Sequence, residues 1–220
     1  MNKHEISEFF GPESLPEEFE HNFGKHRDWK TRLDASRELG LGFAAPGGNF
    51  TKALFEAVMS GLADEIKSAL KGQRVVELGA GMMVYGYALA ASSGARNYLA
   101  AEPFYADVLS KSIFERIRAR NELLPRIPFK VLPHDMLEHL QHEGDDLISI
   151  VACGIENCIF PDEKYKRKVE AEVVRTLHPE GVFISSHSDI DPQGLQVTEK
   201  WFRRLDNPTV QDRIRIYRKP

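Results

Sequence analysis

The stretch Arg74-Val-Val-Glu-Leu-Gly-Ala-Gly81 decides how this chain reads. A short, mostly apolar run leads straight into a turn carrying two glycines. Residues 82–92 behind that turn are rich in Ala, Leu and Met, a helical composition. Strand, tight turn and helix in that order open a βαβ unit, and the rest of the chain repeats the alternation. Asn97-Tyr-Leu-Ala-Ala101 reads as a second strand, ending at Glu102-Pro103. Residues 106–121 read as a helix whose buried stripe is Val108, Leu109, Ile113 and Ile117. Phe129-Lys-Val-Leu132 is a third strand, followed by His134-Asp135-Met136. Residues 147–152 are almost wholly apolar, as a central parallel strand buried on both faces requires. A helix over 162–177, a strand over 181–185, a short helix over 198–205 and a final strand over 213–218 complete the series. The expected fold is α/β, a doubly wound and mostly parallel sheet with helices on both faces.

Residues 1–70 have a different character and read as an N-terminal helical extension or lid on the domain formed by 71–220. Gly11-Pro12, Pro16 and Gly24 keep any early helices short, and Trp29, Leu33 and Leu39 come at loosely helical spacing. After a loop marked by Gly40, Gly42, Pro46, Gly47 and Gly48, Asn49 or Thr51 stands where a helix cap belongs. Leu54, Val58, Leu62, Ile66 and Leu70 then recur every four residues, predicting one continuous helix that Gly72 stops.

The bulk composition bounds the function. With 220 residues the chain makes one domain with a full core. A formal charge of −4 lacks the footprint of a general nucleic-acid binder and favours a small-molecule partner. Cys153 and Cys158 match no common zinc spacing and read as reduced thiols, so no metal is expected. His134, His139 and His142 read as a solvated helix face. No apolar run resembles a signal peptide or approaches the roughly 20 residues of a membrane helix, so the expectation is a cytoplasmic protein.

In a doubly wound sheet, ligands sit beyond the carboxyl ends of the strands at the switch in strand order. Gly79 and Gly81 fall there, where glycine tolerates positive φ and lets a ligand approach the backbone. Glu102, at the end of the second strand, is placed to accept the hydroxyls of a ribose. That much suits any adenosine-containing ligand, a nicotinamide dinucleotide or S-adenosylmethionine. Three details separate them. Gly79-Ala-Gly-Met-Met-Val84 lacks the third glycine of the dinucleotide pattern. Glu77 would repel a pyrophosphate but attract a ligand bearing an ammonium and a sulfonium. Asp135 stands where it can accept an adenine amino group, although Asp there also caps helices.

These residues resemble the motifs of class I, Rossmann-like S-adenosylmethionine-dependent methyltransferases. Val75-Val-Glu-Leu-Gly-Ala-Gly81 looks like the first motif, acidic-x-Gly-x-Gly, and Glu102 matches the ribose-binding acid. Asp135-Met136 matches the position flanking adenine. Ala152-Cys-Gly-Ile-Glu156 falls where the fourth motif lines the transfer site, and the passage from Val173 to Ile184 resembles R-x-L-x-P-G-G. The resemblance covers roughly half the chain. It implies S-adenosylmethionine as cofactor, held by Glu77, Gly79, Ala80, Gly81, Glu102, Pro103, Asp135, Met136, Cys153 and Gly154. Met83 departs from the motif by replacing a third small residue, and the tail looks short for the two closing antiparallel strands.

For the chemistry, Glu156, Asn157 and His187 are the groups near the expected site able to serve as a base, with Glu156 and His187 the catalytic candidates. Trp29, Phe43 and Phe50 are candidates to roof the site or to pack the core. The function expected is methyl transfer to a small molecule. The alternatives are a non-catalytic binding module of the same fold and a nicotinamide-dependent oxidoreductase. The latter lacks a Tyr-x-x-x-Lys pair, since Tyr165 and Lys168 are three apart. Arg116, Arg118 and Arg120 would mark a nucleic-acid groove but read more simply as a solvated face.

Overall fold

The computed structural model describes residues 48–81, 84–103, 106–119, 125–204 and 209–220. Its centre is a seven-stranded sheet in the order β3-β2-β1-β4-β5-β7-β6. The strands are β1 (Arg74–Leu78), β2 (Asn97–Ala101), β3 (Phe129–Leu132), β4 (Ser149–Cys153), β5 (Phe183–Ser186), β6 (Gln196–Arg203) and β7 (Gln211–Arg218). The first five are parallel, and β7 runs antiparallel to both β5 and β6. The helices are α1 (Gly48–Met59), α2 (Asp64–Leu70), α3 (Tyr85–Ser92), α4 (Ala106–Ala119), α5 (Met136–His142) and α6 (Glu163–Thr176).

Alternation along the central strands supplies two apolar faces. Val75 and Val151 join the core with α1–α4, while Val76, Leu78, Ile150 and Ala152 join the core with α5 and α6. Glu77 and Cys153 therefore face the α1–α3 side. Helix α3 is buried all round from Tyr85 to Ala91, because α1 covers the side turned away from the sheet.

The expected single helix over 49–70 is two. Gly61, at φ 80°, closes α1 with the bonds Leu62 N–H to Ala57 O and Gly61 N–H to Val58 O, a Schellman ending. Leu62 is turned out to solvent at 52% exposure instead of continuing the stripe. Thr51 is not a cap: it lies inside α1 and its hydroxyl goes to Glu77.

The helix expected over 198–205 is the strand β6. It pairs along its whole length with β7, from Gln196 opposite Arg218 to Arg203 opposite Gln211. Its Glu, Lys and Arg residues suit a helix, but the ladder offered by β7 overrides that preference. Both antiparallel closing strands are thus present, with β7 anchored by inward Ile214 and Ile216. No helix among the described residues is long and apolar enough to cross a membrane. The expectations placed on residues 1–47, including Trp29 and Phe43, lie outside the described residues.

Candidate functional site

Parallel register aligns the strand ends. Leu78 lies opposite Ala101 and Ala152, and Ala101 opposite Leu132. The segments that leave these strands therefore line one edge of the sheet, and the switch in strand order falls between β2 and β4, at β1. Asp135, Glu102, the Gly79–Gly81 turn, Gly154 and His187 follow β3, β2, β1, β4 and β5 along that edge.

Gly79 and Gly81 take φ 63° and 64°, the left-handed region that a side chain resists. Among the described residues, a Cβ at Gly81 would meet nothing within 4 Å. The Gly81 N–H donates to Glu102 Oε2 at 2.7 Å, joining the first turn to the end of the second strand. Ala80 is half-buried, and Pro103 is exposed beside Glu102.

Glu77 is buried beneath this turn. Its carboxyl accepts the Tyr98 hydroxyl and, at 3.5 Å, the Thr51 hydroxyl of α1. Burial pushes its pKa up from 4.5 to about 7, against the two hydroxyl donors and with the help of nearby Glu102. Gly86 makes room for it: a Cβ there would lie 1.7 Å from Glu77 Oε2. Tyr98, held by burial and by Glu77, has its pKa driven well above 10. Tyr98 and Gly86 are not marked by any motif in the sequence, and Thr51 is marked there only as a cap. Gly86, a glycine inside a helical run, is the signal from which this pocket could have been found.

Asp135 is the N-cap of α5, accepting from the Glu138 N–H at 2.8 Å, and it also accepts the Tyr165 hydroxyl at 2.9 Å. Met136 is buried against the second core. Of the three histidines after β3, His142 is exposed and His134 half-buried, as a solvated face requires, but His139 is not. His139 is 1% exposed, and burial followed by the neighbouring His134 lowers its pKa from 6.5 to about 4. His139 and Leu140 stand three and four residues after the buried Met136 and so share the inward face of α5. Among the described residues no His, Cys, Asp and Glu group could hold a metal.

At the β4 end, Cys153 carries a thiol that burial pushes up to about 12. Gly154 takes φ 71°, and its N–H donates to Ser186 O. A Cβ there would come within 2.9 Å of the Phe50 ring. Phe50 thus roofs Gly154, and it also stacks on His187 with ring centroids 4.1 Å apart. His187 Nε2 lies 2.5 Å from Asp212 Oδ1, and Arg204 holds the same carboxylate by Nε–Oδ2 at 2.5 Å and Nη2–Oδ1 at 3.0 Å. Burial raises the Asp212 pKa, but the bonds from His187 and Arg204 outweigh it and leave the carboxyl below its ordinary value. Glu156 is half-buried on the segment that bonds through Asn157 N–H to Asp189 at 2.7 Å, and it is not joined to the His187 network. Asp212 and Arg204 carry no local motif, since pairing of β5 with β7 is what brings them to His187.

No protein-family model matches this sequence, and no curated protein matches it. Among solved structures, the PH0226 protein from Pyrococcus horikoshii OT3 superposes with a TM-score of 0.52 at 12% identity, over 77% of this chain and 91% of that one. HI0767 of Haemophilus influenzae, provisionally named a methylase, gives 0.51 at 11% identity over 76% and 99%. A mutant of MtNAS in complex with S-adenosylmethionine gives 0.49 at 16% identity, and this chain covers 62% of its length. The likeness to these solved structures is one of fold, here a mostly parallel seven-stranded sheet closed by an antiparallel hairpin.

Proposed function

We propose that this chain binds S-adenosylmethionine at the β1–β2 edge and transfers its methyl group to a small-molecule acceptor in the cytoplasm. The observation that carries the reading is the pairing of the Gly81 N–H with Glu102 above the buried Glu77. Two carboxyl groups flank a glycine turn, a pattern suited to recognising a ribose and a cationic sulfonium amino acid. A pyrophosphate would meet the same two acids as repulsion.

The residues present fit the cofactor. Gly79, Ala80 and Gly81 would border its amino-acid portion, Glu102 and Pro103 its ribose, Asp135 and Met136 its adenine, and Cys153 with Gly154 the side facing the acceptor. When bound, it supplies an electrophilic methyl group on a positively charged sulfur. A cation near Glu77 would favour the ionised carboxylate, so binding is expected to release part of a proton near pH 7. The oxidoreductase and the non-catalytic module find no comparable support in the site.

The test is calorimetric titration with S-adenosylmethionine, S-adenosylhomocysteine and NAD. Micromolar binding of the two adenosyl ligands, weakened at least tenfold in Glu102→Ala and not by loss of folding, is the expected result. A Glu102→Gln variant that keeps the acceptor for Gly81 controls for the turn. Preference for NAD, or no binding at all, overturns the proposal.

A further inference from the structure

Strand β6 ends the sheet with one ladder unused. Among the described residues it pairs only with β7, in unbroken register from Gln196 to Arg203. The Arg204 N–H donates to Val210 O, which places the N–H and C=O groups of the even-numbered β6 residues towards β7. Those of Val197, Glu199, Trp201 and Arg203 therefore point away from the sheet. So long an edge, with no proline and no bulge, is a template for another strand. Lys200, the kind of charge that guards an edge, is drawn instead to Glu65 of α2 at 2.5 Å.

The side chains of the same four residues share one face of the hairpin. The connection from β5 to β6, residues 187–195, carries no helix to cover that face. Val197 and Trp201 stand 52% and 61% exposed on it. Arg213 of β7 lies over the Trp201 ring at 6.0 Å and reaches Glu199 at 3.5 Å, which orders both side chains. Arg203 is exposed and has no acid of its own among the described residues.

We infer that β6 is the interface of a symmetric dimer, in which a second copy of this chain lays its own β6 antiparallel along this edge. A two-fold axis perpendicular to the sheet preserves its faces, so the axis must pass through one residue and its counterpart. Charge selects that residue. Centred on Glu199 or Lys200, the pairing opposes a charge to itself; centred on Phe202, it opposes Lys200 to Arg204. Centred on Thr198, it sets Glu199 against Val197 and forms no ion pair. Centred on Trp201, it brings the two indoles together at the axis and sets Glu199 of each copy against Arg203 of the other. This register also joins the outward N–H and C=O groups of Trp201 to those of its counterpart, and those of Glu199 to those of Arg203. Such a contact is isologous and closes on itself, so the edge is used without building a fibre. One strand from each copy buries little area, and a dissociation constant on the order of 10 μM is expected.

Sedimentation equilibrium of the full chain over roughly 1–200 μM should carry the mass from one 25.0 kDa chain towards twice that value. Acrylamide quenching, read in a Trp29→Phe background that leaves Trp201 as the one tryptophan, should fall over the same range. Glu199→Arg and Arg203→Glu each oppose like charges at both ends of the pairing, and each alone should weaken association at least about tenfold. An equimolar mixture of the two variants should restore it, because every Glu–Arg pair is regained in the mixed dimer. A merely destabilised chain gains nothing by mixing. Monomer at every concentration overturns the inference and leaves the edge to another occupant. Association that leaves Trp201 quenched as in the monomer overturns it, as does association indifferent to both substitutions or not restored by mixing two folded variants. If circular dichroism shows either variant unfolded, the quenching of Trp201 decides alone.

Discussion

Replacing Glu77 by Gln separates a buried neutral acid from a buried charge. The folded chain holds the Glu77 proton up to about pH 7, whereas the unfolded chain releases it near 4.5. Between those values the native state binds one proton more, so each rise in pH costs stability. The contribution is fully present below 4.5 and is lost once the pH has passed through 7. At about 1.4 kcal/mol per pH unit, that interval is worth on the order of 3 kcal/mol. Gln has the shape of the neutral acid and still accepts the Tyr98 hydroxyl, but it does not titrate. The Glu77→Gln variant should therefore match wild type within about 1 kcal/mol at pH 5. At pH 8.5 it should exceed wild type by about 3 kcal/mol, or by roughly 6–12 °C in Tm for a domain of this size. Urea unfolding of both proteins at half-unit intervals from pH 5 to 8.5 measures the gap directly, and other titrating groups cancel in the difference. A gap that stays constant across that range refutes the reasoning. So does a variant that becomes the weaker protein at high pH, which would mean an ionised, well-paired carboxylate.

Gly86→Ala should be destabilising by about 3 kcal/mol, at the upper end of overpacking costs, because the new methyl must displace a buried carboxyl from 1.7 Å; a wild-type urea midpoint would contradict the packing described. His139 works in the opposite pH sense from Glu77. Its folded pKa of about 4 lies below the 6.5 of the unfolded chain, so its contribution is present above 6.5 and lost as pH falls towards 4. His139→Leu should flatten the acid limb of stability over that window, and an identical acid midpoint would count against a neutral buried ring. Asp135→Ala removes the α5 cap and the Tyr165 partner and should cost about 1 kcal/mol in thermal unfolding; no loss would mean that the cap is replaced by solvent.

The parallel half of the fold was legible because its signals are local. Val75 to Leu78 must be buried on both faces, Gly79 and Gly81 need positive φ, and neither requirement depends on distant partners. The misread segments are those where a tertiary contact outvotes local preference. Residues 198–203 have helical composition but are claimed by the β7 ladder, and the four-residue stripe through Leu62 ignores the Schellman ending that Gly61 permits. The burial of His139 is not legible in its polarity, because it follows from the inward face it shares with Met136 and Leu140. Within the site, the acids and glycines were visible as a motif. Asp212 and Arg204 were not, since the antiparallel hairpin brings them to His187 from a separation that no spacing rule reads.

Phe50 and Thr51 are neighbours on α1, yet they serve opposite ends of the crevice: the ring lies on Gly154 and His187, the hydroxyl on Glu77. A single helical turn is thus common to the side proposed for the cofactor and the side proposed for the acceptor. Any occupant that presses on one contact alters the docking of that turn and hence the other contact. If both proposed ligands bind, affinities at the two ends are thermodynamically linked and the linkage is reciprocal: a cofactor that tightens acceptor binding by some factor is tightened by the acceptor by the same one.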